Sequence, residues 1–496
     1  MLQRNKKFAF DVVLSAVGRL GTGFITLLLM PFYIPLLGKE AFGLFGVFMT
    51  IELFFRIFEG GLVSALVKDF SLKIENENNP LSLLRSFEGA YLSLGFIQSG
   101  LCVILILSGA VGFLEAKEMS PKLIQTCLLI MAIRPLFSSL TLVHTSYIQA
   151  QENIIALNIY RLILSLLSSV GAIVVLRYSG GDPVAFFSWW IICTAIVGLL
   201  KMLHCWRGQW AKMFFLKPDM TVLKSYRSDQ LKLIGAGLLT FLATKYPMWI
   251  VSSRLELATV GLFTLATQIA GTLGNSISVM TKPLIARFTR DQMRDESGGL
   301  ILLRMSQIMI IISGFCVVTF SLLSEDLISL WMKNSEFNPA LIGVVASYLL
   351  VAKFFILVMT PYVSALQADR KLKVIYLSRF LTVLLGVPLG YLFCSLNGLA
   401  GVVATYAVTL AIVCFISFPF MVKYYPVEGG VLKKLVLPIA ALILASLFIY
   451  ATNYGVRDIN IIYRVVIVGS LSGLLLLTFS YLGAQFIKNK LVSYYL

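Results

Sequence analysis

The chain has 496 residues, of which 58% are apolar and only 13% are charged, and its mean hydropathy is +0.88. Soluble proteins carry roughly 25% charged residues, so the composition excludes a soluble globular protein and indicates an integral membrane protein. The formal net charge is +17, and a charge of this size is also found in proteins that bind nucleic acid. No folded module accompanies the basic runs, and we expect no nucleic-acid partner.

Fourteen apolar runs between residues 10 and 484 are long enough to cross a bilayer, which takes about 20 residues per helix. They include runs near 41–67, 123–147, 374–394 and 398–421. The runs show no period-two alternation, which argues against strands. The sequence therefore predicts an all-α integral membrane protein with about fourteen transmembrane helices.

The basic residues concentrate on one side of the predicted membrane. With the N-terminus placed inside, most of the 41 Lys and Arg residues fall in cytoplasmic segments, above all in the 205–230 connection and in "KPLIARFTRDQMRDE". This asymmetry follows the positive-inside rule. We predict a multi-pass protein with both termini in the cytoplasm, in which the first apolar run is an uncleaved span.

The chain also repeats itself with an offset of 218 residues. "FGLF" at 42–45 aligns with "VGLF" at 260–263, and Arg161 aligns with Arg379. One copy holds six spans, so the two copies share one orientation, as in transporters that are built from parallel repeats. We predict an N-terminal six-helix bundle (1–204), a basic cytoplasmic linker (205–230), a C-terminal six-helix bundle (231–421) and two additional transmembrane helices (422–496).

Two stretches carry a family resemblance. "PLLGKEAFGLFGVFMTI…EGGLVSALVKDF" in the first copy and "LATVGLFTLATQIAGTLGNSISVMTKPLIARF" in the second are similar to segments of polysaccharide flippases. These flippases belong to the multidrug, oligosaccharidyl-lipid and polysaccharide exporter superfamily. The resemblance covers roughly residues 10–420. It departs from the usual pattern at Glu59-Gly60, where an Asp before the Gly is more typical.

The resemblance implies a bacterial inner-membrane flippase that moves undecaprenyl-pyrophosphate-linked oligosaccharide units, of O-antigen or capsule type, by alternating access. It implies a lipid-linked anionic oligosaccharide and membrane lipids as partners, with a glycan polymerase and a chain-length regulator as candidate protein partners. The two extra C-terminal helices are similar to those of the lipid II flippase branch. A lipid II flippase and a cation-coupled multidrug exporter therefore remain alternatives.

Cations lie near the middle of five predicted spans. Each would cost about 2.5–3.5 kcal/mol at the centre of a lipid-facing helix, so each must face a counter-ion or water. Arg134 and Lys353 differ by 219 positions, close to the repeat offset, and should lie at equivalent depths in the two copies. We predict that the five cations line a water-filled cavity between the bundles and bind the substrate pyrophosphate: Arg19, Arg56, Arg134, Lys245 and Lys353.

One span carries three ionisable side chains on one helix face. Glu52, Arg56 and Glu59 are spaced i, i+4 and i+7, so Arg56 can pair with either carboxylate within its own helix. Two interpretations stay open for Arg56: partner in a self-neutralised triplet, or substrate-binding guanidinium. Glu59 is the stronger candidate for an ion-coupling carboxylate and Glu52 the other, with a purely structural carboxylate as the alternative.

The remaining sequence features give no indication of other chemistry. A GxxxxGK[ST] loop for nucleotide hydrolysis is absent, and the short external loops lack the paired acids of a glycosyltransferase. His144 and His204 are too far apart in sequence to suggest a metal site, and we expect no cofactor. We predict a transporter rather than an enzyme, driven by the membrane potential, an ion gradient or mass action. A non-transporting scaffold for glycan assembly would not need mid-span cations.

Overall fold

A computed structural model describes residues 2–75, 80–109, 112–210, 227–279, 296–333, 337–369, 371–427, 431–456 and 461–476. These residues form fourteen helices, followed by an apolar helical segment at Ile461–Leu476. The helices are α1 (Leu2–Leu37), α2 (Lys39–Phe55), α3 (Ile57–Glu75), α4 (Pro80–Leu107), α5 (Pro121–Met131), α6 (Arg134–Ala150), α7 (Ile154–Tyr178), α8 (Pro183–Cys205), α9 (Arg227–Arg254), α10 (Leu257–Val279), α11 (Glu296–Trp331), α12 (Pro339–Ala368), α13 (Lys373–Val422) and α14 (Val431–Gly455).

The predicted all-α membrane fold is confirmed. In the described part of the chain, ten helical segments are long and apolar enough to cross a membrane. Several helices begin at a proline that follows a capping side chain. Proline suits the first helical position, where no N–H partner is needed, and the Asp182 carboxylate accepts from the Val184 N–H at 2.9 Å. Pro121 and Pro339 follow caps of the same kind, Ser120 and Asn338.

Three membrane-length segments are interrupted. α2 and α3 meet at Arg56, and α5 and α6 meet just before the Arg134-Pro135 pair, where proline cannot continue the N–H ladder. In α13, Gly398 has φ +57° and ψ −136°, a conformation that favours glycine. Gly398 thereby separates the two spans predicted near 374–394 and 398–421. The other two breaks place arginines inside spans.

The chain divides into two compact units, residues 1–264 and 265–496. In the first unit, α3, α4, α6 and the end of α8 bury an apolar core that includes Phe70, Phe87 and Trp206. In the second unit, α11, α12 and α13 bury another core around Tyr362 and Phe418. The bundle and linker boundaries expected from the sequence stay a prediction.

Within the first unit, two glycines from the aligned repeat segments face each other. A Cβ on Gly43 of α2 would collide with the Leu257 carbonyl oxygen, and one on Gly261 of α10 would collide with the Lys39 carbonyl oxygen. The same Cβ positions lie 3.0 and 3.2 Å from the backbone nitrogen of the opposite glycine. Residues 39 and 43 stand 218 positions before 257 and 261, so the contact is reciprocal, as a pseudo-twofold repeat requires.

The loop before α5 contacts the N-terminal ends of the two crossing helices, α2 and α10. The Glu40 carboxylate is buried and accepts hydrogen bonds from the backbone N–H groups of Lys117, Glu118 and Met119 at 2.6, 3.0 and 2.7 Å. The Lys117 ammonium also pairs with Glu256 at 2.6 Å. One loop therefore fixes the starts of both α2 and α10.

We expect Gly261→Ala to destabilise the protein, because the added methyl group must push α2 away from α10. Overpacking of this kind costs roughly 1–3 kcal/mol. Gly271→Ala, in the same helix, is the matched control. No described residue outside the local helical turn comes within 4 Å of its added Cβ, and alanine favours a helix by about 1 kcal/mol. Thermal unfolding of the detergent-solubilised protein measures both. Equal midpoints for the two variants would contradict the close crossing.

Candidate functional site

Two arginines share one carboxylate at the two breaks that α2–α3 and α5–α6 contain. The Arg134 guanidinium forms an ion pair with Glu52 Oε2, and both side chains are almost fully buried. The Arg56 Nε lies 3.6 Å from Glu52 Oε1, one helical turn away. The sequence spacing correctly indicated the Glu52–Arg56 pair. It gave no sign of the Arg134–Glu52 pair, which joins residues 82 positions apart.

The position of Arg134 is fixed on all sides. Its Nε donates to Thr194 Oγ1 at 3.3 Å, and its guanidinium carbon lies 5.0 Å from the centre of the Trp190 ring. Its Nη1 also lies 3.6 Å from the Met49 sulfur. A guanidinium stacked on an aromatic face and hydrogen-bonded at two sides has little freedom. Arg134 is therefore a buried, immobile cation.

Arg56 differs from Arg134 in its exposure. Its side chain remains 46% exposed, whereas that of Arg134 is 8% exposed. Among the described residues, Glu52 is the one acidic side chain within 4 Å of Arg56, and the 3.6 Å contact engages only Nε. Glu52 carries a single negative charge and already pairs with Arg134. This centre, which we call the Glu52 centre (Glu52, Arg56 and Arg134), therefore has one surplus positive charge, presented by Arg56.

Glu59 lies one turn beyond Arg56, in the first turn of α3, and is 1% exposed. Its Oε1 is hydrogen-bonded to the Ser139 hydroxyl of α6. The Oε2 atom is buried without a hydrogen-bond partner among the described residues. The Tyr91 hydroxyl donates to the Glu59 backbone oxygen at 3.1 Å. Glu59 is thus a desolvated carboxyl group that has one hydroxyl contact and no ion pair within the described part of the chain.

A second polar cluster in the first unit was not predicted. Glu88 of α4 is 5% exposed, and its Oε1 is 2.8 Å from His144 Nε2 and 2.7 Å from Trp206 Nε1. Arg85 lies 3.4 Å from Oε2. His144 was considered from the sequence only as a metal ligand, and Glu88 was assigned no role. A rare acid and a rare histidine inside apolar helices were the available signal.

The second unit contains Lys353, on α12. Its side chain packs over Gly274 of α10, because a Cβ on that glycine would lie 3.3 Å from Lys353 Cγ. The charge of Arg379, on α13, lies close enough to act on Lys353. No carboxylate of the described residues lies within 4 Å of Lys353. Arg379 aligns with Arg161 in the repeat, but its sequence position alone suggested no role.

Lys245 and Arg19 are the other two predicted cations. Lys245 lies in α9, two residues before Pro247, and is half-buried in the first unit. Arg19 lies in α1, and its side chain falls outside the described part of the structure. The structure thus brings Glu52, Arg56, Arg134 and Glu59 into one region. A shared cavity with Arg19, Lys245 and Lys353 stays a prediction.

Comparison with protein families gives one match. The model of a family described as "Polysaccharide biosynthesis protein" matches residues 9–290, which is more than half of the chain. None of the curated proteins compared with the chain matches it.

Solved membrane transporters share the fold. A lipid II flippase, MurJ, in an inward closed conformation aligns with a TM-score of 0.73 at 15% identity, covering 97% of this chain and 99% of that one. An inward-facing multidrug resistance transporter of the MATE family aligns with a TM-score of 0.68 at 16% identity, covering 83% and 98%. A transporter from Pyrococcus furiosus, described as having a binding pocket of reverse polarity, aligns at 0.56 and 13% identity, covering 84% and 95%.

The two arginines of the Glu52 centre should differ sharply in their effect on stability. Arg134→Ala leaves Glu52 buried without its main counter-ion, and breaking a buried pair costs about 3–5 kcal/mol. Arg56→Ala removes a half-exposed contact that is worth at most about 1 kcal/mol. Thermal unfolding in detergent measures both variants. Adding Glu52→Gln should restore much of the loss in Arg134→Ala, and an equal loss from Arg56→Ala would contradict this assignment of partners.

Proposed function

We propose that this chain, which belongs to the polysaccharide biosynthesis protein family, is a flippase for lipid-linked oligosaccharide. Its substrate would be an undecaprenyl-pyrophosphate-linked repeat unit of O-antigen or capsule type, moved across the bacterial inner membrane by alternating access. The protein would act as a transporter and not as an enzyme. The substrate class, the membrane and the orientation, with both termini in the cytoplasm, belong to the proposal.

The surplus positive charge at the Glu52 centre carries this proposal. Two guanidinium groups face one carboxylate, and the half-exposed Arg56 retains N–H donors without a described partner. A cation inside a membrane-spanning segment is costly unless it meets an anion or water. A planar guanidinium binds a phosphate through two parallel hydrogen bonds. A pyrophosphate group is therefore a suitable ligand for Arg56.

Arg134 would support this binding without touching the substrate. It neutralises Glu52 from the buried side, so the carboxylate does not hold Arg56 by a full ion pair. Glu52 would then orient Arg56 rather than neutralise it. Of the two interpretations left open by the sequence, this geometry favours the substrate-binding guanidinium.

The other cations would extend the site. We include Arg19, Lys245 and Lys353 in the proposed substrate cavity because they are the remaining mid-span cations. Lys353 is the best supported of them, since it has no described acidic partner within 4 Å and lies near the positive charge of Arg379. Such cations would replace the hydration that a pyrophosphate loses as it crosses the apolar region.

A lipid II flippase is the second candidate. The structural match to MurJ extends over nearly the whole chain, and lipid II is also a pyrophosphate-linked glycolipid. The cation-coupled drug exporter is less favoured, because a cationic drug would need an acidic surface and the Glu52 centre has a surplus of positive charge. Glycan polymerase and a chain-length regulator remain candidate partners, and Glu59 and Glu52 remain candidates for ion coupling.

The test is transport in proteoliposomes that contain the full chain and an undecaprenyl-pyrophosphate-linked oligosaccharide. We expect Arg56→Gln to weaken substrate binding by about 10- to 100-fold, since hydrogen bonds to a charged group contribute about 1.5–3 kcal/mol. Arg56→Lys should keep part of the activity, because the charge persists while the bidentate geometry is lost. The readout is the fraction of glycan that reaches a membrane-impermeant lectin.

Arg177→Gln is the matched control, because Arg177 is an exposed arginine in the last turn of α7. It should transport like the parent protein. Lipid II and a cationic drug, tested in parallel, separate the alternatives. Normal transport by Arg56→Gln, or preferential transport of the cationic drug, would contradict the proposed substrate class.

A further inference from the structure

Lys353 and Arg379 are two cations of the second unit that lie near each other inside membrane-length helices. Lys353 is near the middle of the 30-residue α12, and Arg379 lies in the first part of α13. Both side chains are half-buried, and burial removes water from both head groups. The positive charge of Arg379 acts on Lys353. We call these two residues the second-unit cation pair.

The described residues do not satisfy this pair. The Arg379 Nε atom is buried and has no hydrogen-bond partner among them. Neither Lys353 nor Arg379 has a described carboxylate within 4 Å. A buried N–H group without an acceptor is costly, and a charged one is costlier still. The second-unit cation pair therefore lacks both an acceptor and a counter-charge within the described part of the chain.

The acidic side chains that the structure describes in this unit are paired elsewhere or exposed. Asp326, near the end of α11, lies 3.1 Å from Arg464. Asp369, directly after α12, lies 3.7 Å from Lys371. Glu325 is an exposed neighbour of Asp326. These carboxylates lie towards the ends of helices, whereas the cation pair lies deeper, so they do not balance its charge.

The first copy of the repeat shows a protein-supplied partner at the position of Lys353. Arg134, which matches Lys353 within one residue, is paired with the Glu52 carboxylate. The residue that aligns with Glu52 in the second copy is Ala270. A methyl side chain offers no charge, so Lys353 has no equivalent of this pair.

The same comparison holds for Arg379. Its counterpart in the first copy, Arg161, donates to the Asn158 side-chain oxygen at 3.0 Å, one helical turn away. The residue that aligns with Asn158 is Tyr376, which is exposed. The second copy thus has two cations at the positions of two first-copy cations, without the carboxylate and the amide that serve them there.

An anion meets both needs of the pair at once. Water accepts hydrogen bonds from the N–H groups, but it leaves two positive charges close together in surroundings of low dielectric constant. A guanidinium binds a phosphate through parallel hydrogen bonds, and an ammonium binds it as a point charge. Tyr406, in the second half of α13, lies near Arg379 and brings a hydroxyl group beside the pair. These groups together suit a phosphate oxyanion.

The helices that carry the pair are held by packing. Val358 and Tyr362 of α12 share one buried cluster with Ile375 of α13. The Lys353 side chain also packs over Gly274 of α10. A site on packed helices is more precise than one on loops, so the two cations are positioned before a ligand arrives.

We propose that Lys353 and Arg379 form an anion site that binds a phosphate group. Free inorganic phosphate and a lipid-linked phosphate present the same oxyanion, and both are candidate sources. Phosphate binding itself does not rest on the proposed transport function. Use of the site by a lipid-linked substrate does rest on it, and would add Arg379 to the substrate-binding residues.

A phosphate titration of the detergent-solubilised full chain, read by thermal unfolding, tests the site. The Arg56→Gln variant is the background, so that phosphate at the Glu52 centre contributes little. We expect its unfolding midpoint to rise and to saturate with millimolar sodium phosphate at constant ionic strength, because a ligand of the folded state stabilises it by mass action. Adding Lys353→Gln or Arg379→Gln should raise the phosphate concentration required by about 10- to 100-fold.

Lys373→Gln is the matched control, because Lys373 is an exposed lysine in the first turn of α13. It should leave the titration unchanged. Arg379→Lys should give an intermediate affinity, since it keeps the charge and loses the planar fork. In phosphate-free solution, Lys353→Gln should not lower the midpoint, because removing one of two unbalanced cations relieves their repulsion.

Two results would overturn the inference. One is a background without a saturable phosphate effect, or with the same effect in Lys353→Gln and Arg379→Gln, since water alone would then surround the pair. The other is a lower midpoint of Lys353→Gln in phosphate-free solution, which would show that Lys353 has a partner within the protein.

Titration of the same background with undecaprenyl phosphate separates the two sources. If the lipid-linked phosphate occupies the site, it should stabilise the background, and Arg379→Gln should remove that effect. If free phosphate alone occupies the site, only the inorganic ion should stabilise it. Intact glycan transport without any phosphate effect on unfolding would refute the site and leave the proposed function standing. The expected titration without glycan transport would refute the proposed function alone.

Discussion

The buried Arg134–Glu52 ion pair is the interaction on which the first unit depends. It joins two membrane-length segments at the points where each helix is interrupted, α2 at its last turn and α6 at its first residue. An interruption frees backbone groups that lipid cannot satisfy. Such breaks are tolerated where protein or water surrounds them, and a charged pair is stable in the same surroundings. The ion pair and the helix breaks therefore occur at the same place, because both need surroundings of protein or water rather than lipid.

This arrangement also explains why one helix face can carry three ionisable residues. Glu52 is compensated from α6, so the guanidinium of Arg56 need not pair fully within its own helix. Glu59, one turn further, receives a hydroxyl contact from the same helix. The side chains that α6 presents to α2 and α3 thus give the three residues different environments. Glu52 is a paired carboxylate, Arg56 a half-exposed cation and Glu59 a desolvated carboxyl group.

The sequence was sufficient to predict the fold and part of the site. Hydropathy identified the membrane-length helices, and the i, i+4 spacing indicated the Glu52–Arg56 contact. The spacing could not reveal that Arg134 takes Glu52, since this contact depends on how α2 and α6 pack. Ser139 was missed because a serine in an apolar helix has no distinctive pattern. Its role comes from its hydrogen bond to Glu59, which only coordinates show.

The repeat allows the charged residues of the two copies to be compared position by position. The positions that align with Glu52, Arg56 and Glu59 in the second copy are Ala270, Gly274 and Ile277. Lys353, the counterpart of Arg134 within one residue, packs over Gly274, so it occupies the space that an arginine at that position would need. The second copy therefore has a cation near the position of Arg134 but no carboxylate at the positions of Glu52 and Glu59. No carboxylate of the described residues lies within 4 Å of Lys353, and a desolvated ammonium without a carboxylate requires an anion or water. Lys353 therefore needs such a partner, whereas Arg134 is already paired with Glu52.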